Sequence, residues 1–215
     1  MGELEVPYMS RVKLTTLAKF FRRMFQLGND YYINVLDILE RCLVKIDPLF
    51  NYEVPEKWDY DQNIHALCDI GRHSILIRED VYVGAYHGNG RDRMTIIHEV
   101  SHYFLFTFFG CPVYRSFQNT HHKILKETDP EWQAMTLSGF IMCPPELIKG
   151  LSIEEIIEKC GVSYSSAKIA CSSTQKDHQN GEGNRIKQKN KTRKGSCKKA
   201  HGIRSTMGLH GSNNH

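Results

Sequence analysis

His98-Glu99-Val100-Ser101-His102 is the stretch whose residue types and spacing can do chemistry. Residues i and i+4 of a helix lie one turn apart on one face, so both imidazoles can reach a single metal ion. Glu99 follows His98 about 100° round the helix. In a hydrolytic zinc centre of this pattern, such a carboxylate takes a proton from water and does not bind the metal. With 11 His and 14 Glu in 215 residues, chance supplies about 0.04 matches to this pattern per chain.

Two histidines leave a catalytic metal site short of a ligand, because such sites use three protein donors plus water. Glu131, 29 residues beyond His102, is a mild favourite from spacing, since a short return loop would bring it back antiparallel. His121, His122, Glu127 and Asp129 are the other candidates. A competing assignment is structural. Thr128-Asp129-Pro130-Glu131 fits a capping box, in which Glu131 would bond only the Thr128 backbone.

Several helices must hold these groups in place. Met94, Ile97, Val100, Phe104 and Phe108 surround the motif and predict a helix from Asp92 or Arg93 to about Phe109, stopped by Gly110 and Pro112. Asp129-Pro130-Glu131 opens the next, with Pro at its first position, and Pro144-Pro145 ends it after Cys143. Upstream, Leu14, Leu17, Phe20, Phe21, Met24 and Phe25 recur at helical spacing until Leu27-Gly28-Asn29-Asp30. Val35, Leu36, Ile38, Leu39 and Leu43 form a second such stripe. Residues 47–63 read as loop and 113–128 as irregular. Ser74-Ile75-Leu76-Ile77 and Val81-Tyr82-Val83 are β-prone runs split by Arg78-Glu79-Asp80, which predicts a hairpin. From Leu151 to Ala170, an apolar stripe (Ile153, Ile156, Ile157, Cys160), Gly161 and a second short helix outline a helix-turn-helix. Its second helix offers only Lys168 as a basic contact, so a helical hairpin packed on the main domain is expected rather than a duplex reader.

Composition bounds the rest. Apolar residues make up 40% of the chain and charged residues 24%, enough for one core. No stretch approaches the ~18 apolar residues of a membrane span, and no basic-then-apolar leader opens the sequence. The net charge of +4 is uneven. Residues 1–171 carry 18 Lys/Arg against 22 Asp/Glu, and residues 172–215 carry 10 against 2. The second piece has no Phe, Tyr or Trp, so it is expected to be a disordered basic tail, with only weak potential for nucleic acid. Seven cysteines without a CxxC pair predict reduced thiols in a cytoplasm, not a disulfide framework or a cysteine zinc site. The expected architecture is α+β: a domain of residues 1–171 with a short mixed sheet against the motif helix and a hairpin at 151–170.

The run His98-Glu99-Val100-Ser101-His102-Tyr103, followed by Glu131-Trp132-Gln133-Ala134 and Phe140-Ile141-Met142-Cys143-Pro144, resembles the ImmA/IrrE family of zinc metallo-endopeptidases. The likeness covers roughly residues 30–170. It departs from the family pattern at Met135, in place of a small polar residue, and at Cys143, where Met or another apolar residue is common before Pro. The resemblance implies a zincin-like fold, with His98, His102 and Glu131 holding Zn2+ and Glu99 as general base. It also implies a protein substrate, a helix-turn-helix transcriptional repressor whose cleavage relieves repression. The alternative is a catalytically silent module that docks to a repressor or DNA through the hairpin and tail. A peptidase also needs a donor for the oxyanion, for which Tyr86, Tyr103, His121 and His122 are unranked candidates.

Overall fold

Long stretches with helical apolar spacing fold as helices, and the short β-prone runs divide between the two states. In the computed structural model, residues 4–110, 114–115 and 125–174 are described. They fall within one compact unit, Met1–Thr174. His121, His122 and nearly all of the basic tail lie outside the described residues.

The chain begins with β1 (Leu4–Glu5) and helix α1 (Arg11–Met24). Next come α2 (Val35–Asp37), a π-helical turn (Ile38–Cys42) and α3 (Leu43–Ile46). Strands β2 (Asn51–Glu53), β3 (Ala66–Asp69) and β4 (Ser74–Ile77) follow. Helices α4 (Glu79–Tyr86) and α5 (Gly90–Tyr103) lead into a second π-helical turn (Phe104–Phe108). After β5 (Tyr114–Arg115) come α6 (Pro130–Met142), α7 (Pro145–Ile148) and α8 (Ile153–Cys160), and residues 164–174 are again helical. The fold is therefore α+β and mostly helical. None of the described helices is long and apolar enough to cross a membrane.

The three-stranded sheet has the order β2-β4-β3, with β2 parallel and β3 antiparallel to β4. All four residues of β4 are buried, as a central strand covered on both faces requires. The expected hairpin partner of β4 is corrected: Val81-Tyr82-Val83 lies within α4. Glu79 and Asp80 occupy that helix's first turn, where acidic groups favour the positive end of the helix dipole, and Val81 and Ala85 are buried. Core packing at helical spacing thus outweighs the local β preference of valine and tyrosine. The pairing that β4 needs comes instead from β2, inside the stretch expected as loop, and from β3, where no strand was expected.

Helix α5 lies at the centre of the molecule, against α4, α6 and the β3–β4 side of the sheet, while α1 covers α6. Its Ile96, Ile97, Val100 and Tyr103 are fully buried with Leu137, Ile141 and Met142 of α6 and Leu14 and Phe21 of α1. Each such aliphatic side chain contributes roughly 1.5–3 kcal/mol of transfer free energy. Phe104 continues the seam, packing edge-to-face on Phe21 at 5.0 Å between ring centroids.

Two polar anchors hold α5 at either end. Near its start, Arg93 is 1% exposed and donates to Cys160 O at 3.1 Å, to Ile33 O at 2.6 Å and to Gly161 O, with its guanidinium 3.8 Å over the Tyr32 ring. A planar five-donor group can serve three carbonyls while laying its face on an aromatic ring, a geometry that lysine's compact ammonium cannot reproduce. This anchor ties the hairpin to α5. Gly161 ends α8 with φ of +60°, and a Cβ on Gly90 would fall 2.5 Å from the Val162 carbonyl carbon, so both positions require glycine. At the other end, Tyr103 donates its hydroxyl to Asp47, which also meets His73 Nδ1 at 2.8 Å. His73 adopts φ of +52°, a left-handed conformation in which histidine is enriched among non-glycine residues.

Candidate metal centre

Asn89 caps α5 by accepting from the Arg91 and Asp92 amides. The core-facing residues of the helix then fix its rotation, so that His98, Glu99 and His102 are presented to one side. Asp129 caps α6, accepting from the Glu131 amide at 2.9 Å, and Pro130 occupies the first helical position. The capping-box assignment is thereby corrected. Thr128 bonds Leu125 O instead, and the Glu131 side chain is free to reach across to α5.

The structure brings His98, His102 and Glu131 together. Glu131 Oε2 lies 3.1 Å from His98 Nε2, and Oε1 lies 3.3 Å from His102 Nε2. The two Nε2 atoms are 3.1 Å apart, with the rings perpendicular. Their ligand atoms all fall within 4.8 Å of one another, and this is the one such His/Cys/Asp/Glu group among the described residues. Tetrahedral zinc bonded at 2.0–2.1 Å sets its donors about 3.3 Å apart, close to the 3.1 Å between the two imidazole nitrogens and the 3.1–3.3 Å from each to a Glu131 oxygen. Glu127 and Asp129, the described alternatives to Glu131, are not in the group.

Glu99 lines the adjoining cleft with His102 and Glu131. Burial pushes its carboxyl above the usual range, against the opposing pull of His98, His102 and the Cys68 backbone amide. Bonds from His102 and His98 hold Glu131 well below that range. For His98, burial lowers the proton affinity, but the Glu131 bond and the charges of Glu99 and Glu131 outweigh it and the net shift is upward. The two carboxyls are thus shifted in opposite directions, Glu131 toward the ionised form and Glu99 toward the protonated one.

The cleft has a volume of about 540 Å³ and runs between α5 and the free edge of β3. Two oxyanion candidates are not on it. Tyr103 is fully buried with its hydroxyl committed to Asp47, and Tyr86 is exposed at the end of α4, against His87. Sequence reasoning missed His65, Thr95 and Phe106, which line the cleft. Phe106 had a legible signal, because positions 98, 102 and 106 continue the same i+4 row. Its ring stacks on His102, with 5.7 Å between centroids and 13° between planes. His65 and the β3 edge had none, since they reach the site through sheet pairing. No protein-family model matches the chain, and no curated protein matches it.

Proposed function

We propose that the chain is a zinc metallo-endopeptidase of the ImmA/IrrE type, with a zincin-like fold, that cleaves a helix-turn-helix repressor. The observation that carries the hydrolytic reading is the convergence of His98, His102 and Glu131 beside the half-buried Glu99. Two histidines and a carboxylate are also a donor set for non-haem iron. The adjacent carboxylate with raised proton affinity favours hydrolysis, which needs a base at that position. The repressor substrate rests on the resemblance alone.

Zinc bound there supplies Lewis-acid polarisation of the scissile carbonyl and acidifies a water molecule. His98, His102 and Glu131 would hold the ion from two different helices, so the donor set depends on the α5–α6 packing. Glu99 accepts a proton from water on its carboxylate and returns it to the leaving amine. The edge of β3 away from β4 pairs with no strand among the described residues and offers backbone groups to an extended substrate, which would add as a further strand along the cleft.

Metal content measured by mass spectrometry, on wild type and Glu131→Gln, tests the reading. The expected result is about one zinc per chain, weakened or lost in the variant, followed by cleavage of a candidate repressor. Iron in place of zinc would overturn the hydrolase assignment. Protein that takes up no metal after reconstitution would leave the two histidines structural and favour a docking module.

A further inference from the structure

The cleft beside the candidate metal ligands is lined mainly by apolar side chains. Besides Glu99 and the ligands His102 and Glu131, its described walls are mostly apolar, with Ile64, Leu67, Ile70, Phe106 and Pro130 beside the polar Asn63, His65 and Thr95, and no Lys or Arg lines it among the described residues. Ile64 and Ile70 are large aliphatic residues left exposed. Phe106 covers the His102 ring with one face, while its side chain also borders the cleft. The strand gives these residues an order. His65 Nε2 meets Arg91 Nη2 at 3.0 Å near the start of α5, and the Cys68 amide acts on Glu99 further along it. β3 therefore advances along α5 in the helix's own direction, and Ile70, in the 3-10 turn just past its end, lines the same cleft as Phe106.

We infer that Phe106 and Ile70 form a specificity pocket for a large apolar side chain, such as Leu, Met or Phe, immediately flanking the scissile bond. The inference rests on the peptidase reading and adds its substrate preference. A substrate strand on the β3 edge alternates its side chains, so one next to the reacting carbonyl points toward the helix. There it meets the Phe106 ring at the metal's edge. A carboxylate in that position would meet no Lys or Arg among the described lining residues and would share the cleft with Glu99 and Glu131. A lysine would lose hydration against the aromatic wall, and alanine would leave the wall wet. Burying a Leu or Phe side chain is enough to favour such substrates over alanine by at least about tenfold.

The test uses the full zinc-loaded chain and a mixture of equal-length peptides varied at single positions, with cut bonds read by mass spectrometry. Leu, Met or Phe should flank the cut about tenfold more often than Ala, Asp or Lys. Phe106→Ala should flatten that preference, while Phe106→Leu, which keeps an apolar wall, should retain it. Metal content of both variants separates pocket loss from ligand loss. In parallel, Glu99→Gln is titrated with fluorescent peptides differing only by Leu or Asp at the flanking position, and the Leu peptide should bind about tenfold more tightly. Cleavage with no apolar enrichment, or a preference unchanged in Phe106→Ala, overturns the pocket and leaves the peptidase reading standing. Apolar-selective binding by Glu99→Gln with no cleavage by wild type upholds the pocket and overturns the peptidase reading.

Discussion

The α5–α6 helix pair and the segment from residue 64 to 86 border the same cleft, yet they obey the sequence in different ways. In α5, fourteen residues repeat one apolar pattern around a histidine pair, and the observed rotation follows that pattern. In residues 64–86, two runs of similar β character take opposite states, β4 as a buried strand and Val81–Val83 as helix. A long periodic element carries its own orientation in its side chains. Runs of three or four residues take theirs from whatever they pack against.

Three perturbations probe this contrast. Glu99→Gln carries the largest expected effect, because it strikes the region that local spacing organises. Peptide hydrolysis should fall by roughly 100- to 10,000-fold, the usual worth of a general base, with metal content unchanged. Metal lost from this variant would move Glu99 into the coordination shell and contradict its helical placement as base.

Asp47→Asn acts on the long-range anchor that no local pattern encodes. Burial alone would raise the Asp47 carboxyl, but the bonds from Tyr103 and His73 outweigh it and hold the folded value below the usual one. A depressed folded value means that the carboxylate stabilises the fold fully above the unfolded pKa of ~3.9. That contribution is lost as the pH falls through the lower folded value. The substitution should cost about 1–3 kcal/mol at pH 7 in urea denaturation and should flatten the acid-side loss of stability. An acid limb as steep as that of wild type would sever Asp47 from the anchor.

Val83→Ala gives the smallest effect and the sharpest sign. Val83 is exposed in α4, so alanine's better helix propensity should stabilise the protein by a few tenths of a kcal/mol. A strand at this position would instead lose stability on the same change. Thermal denaturation of the pair decides which state the segment occupies.

The helices were readable because burial imposes a 3.6-residue period over many turns, and α1, α5, α6 and α8 fall close to their expected places. Capping residues refined them only partly. Asp129 and Pro130 opened α6 as expected, but the same turn also fitted a capping box beginning at Thr128 that the structure does not adopt. Strands β2 and β3 were not readable. Each is three or four residues long, without alternation, and each exists because the buried backbone of β4 must find hydrogen-bond partners.

Sequence by itself determined the helix-borne chemistry: two imidazoles one turn apart with a carboxylate between them, an arrangement set by helical geometry alone. It left Glu131 as one of several candidates for the third donor. Only the tertiary structure decided that Glu131 closes the group, that Tyr103 is committed to Asp47, and that Phe106 and the β3 edge wall the cleft. Each of these depends on contacts between residues distant along the chain, and such contacts are set by how the whole core packs, which no local period records.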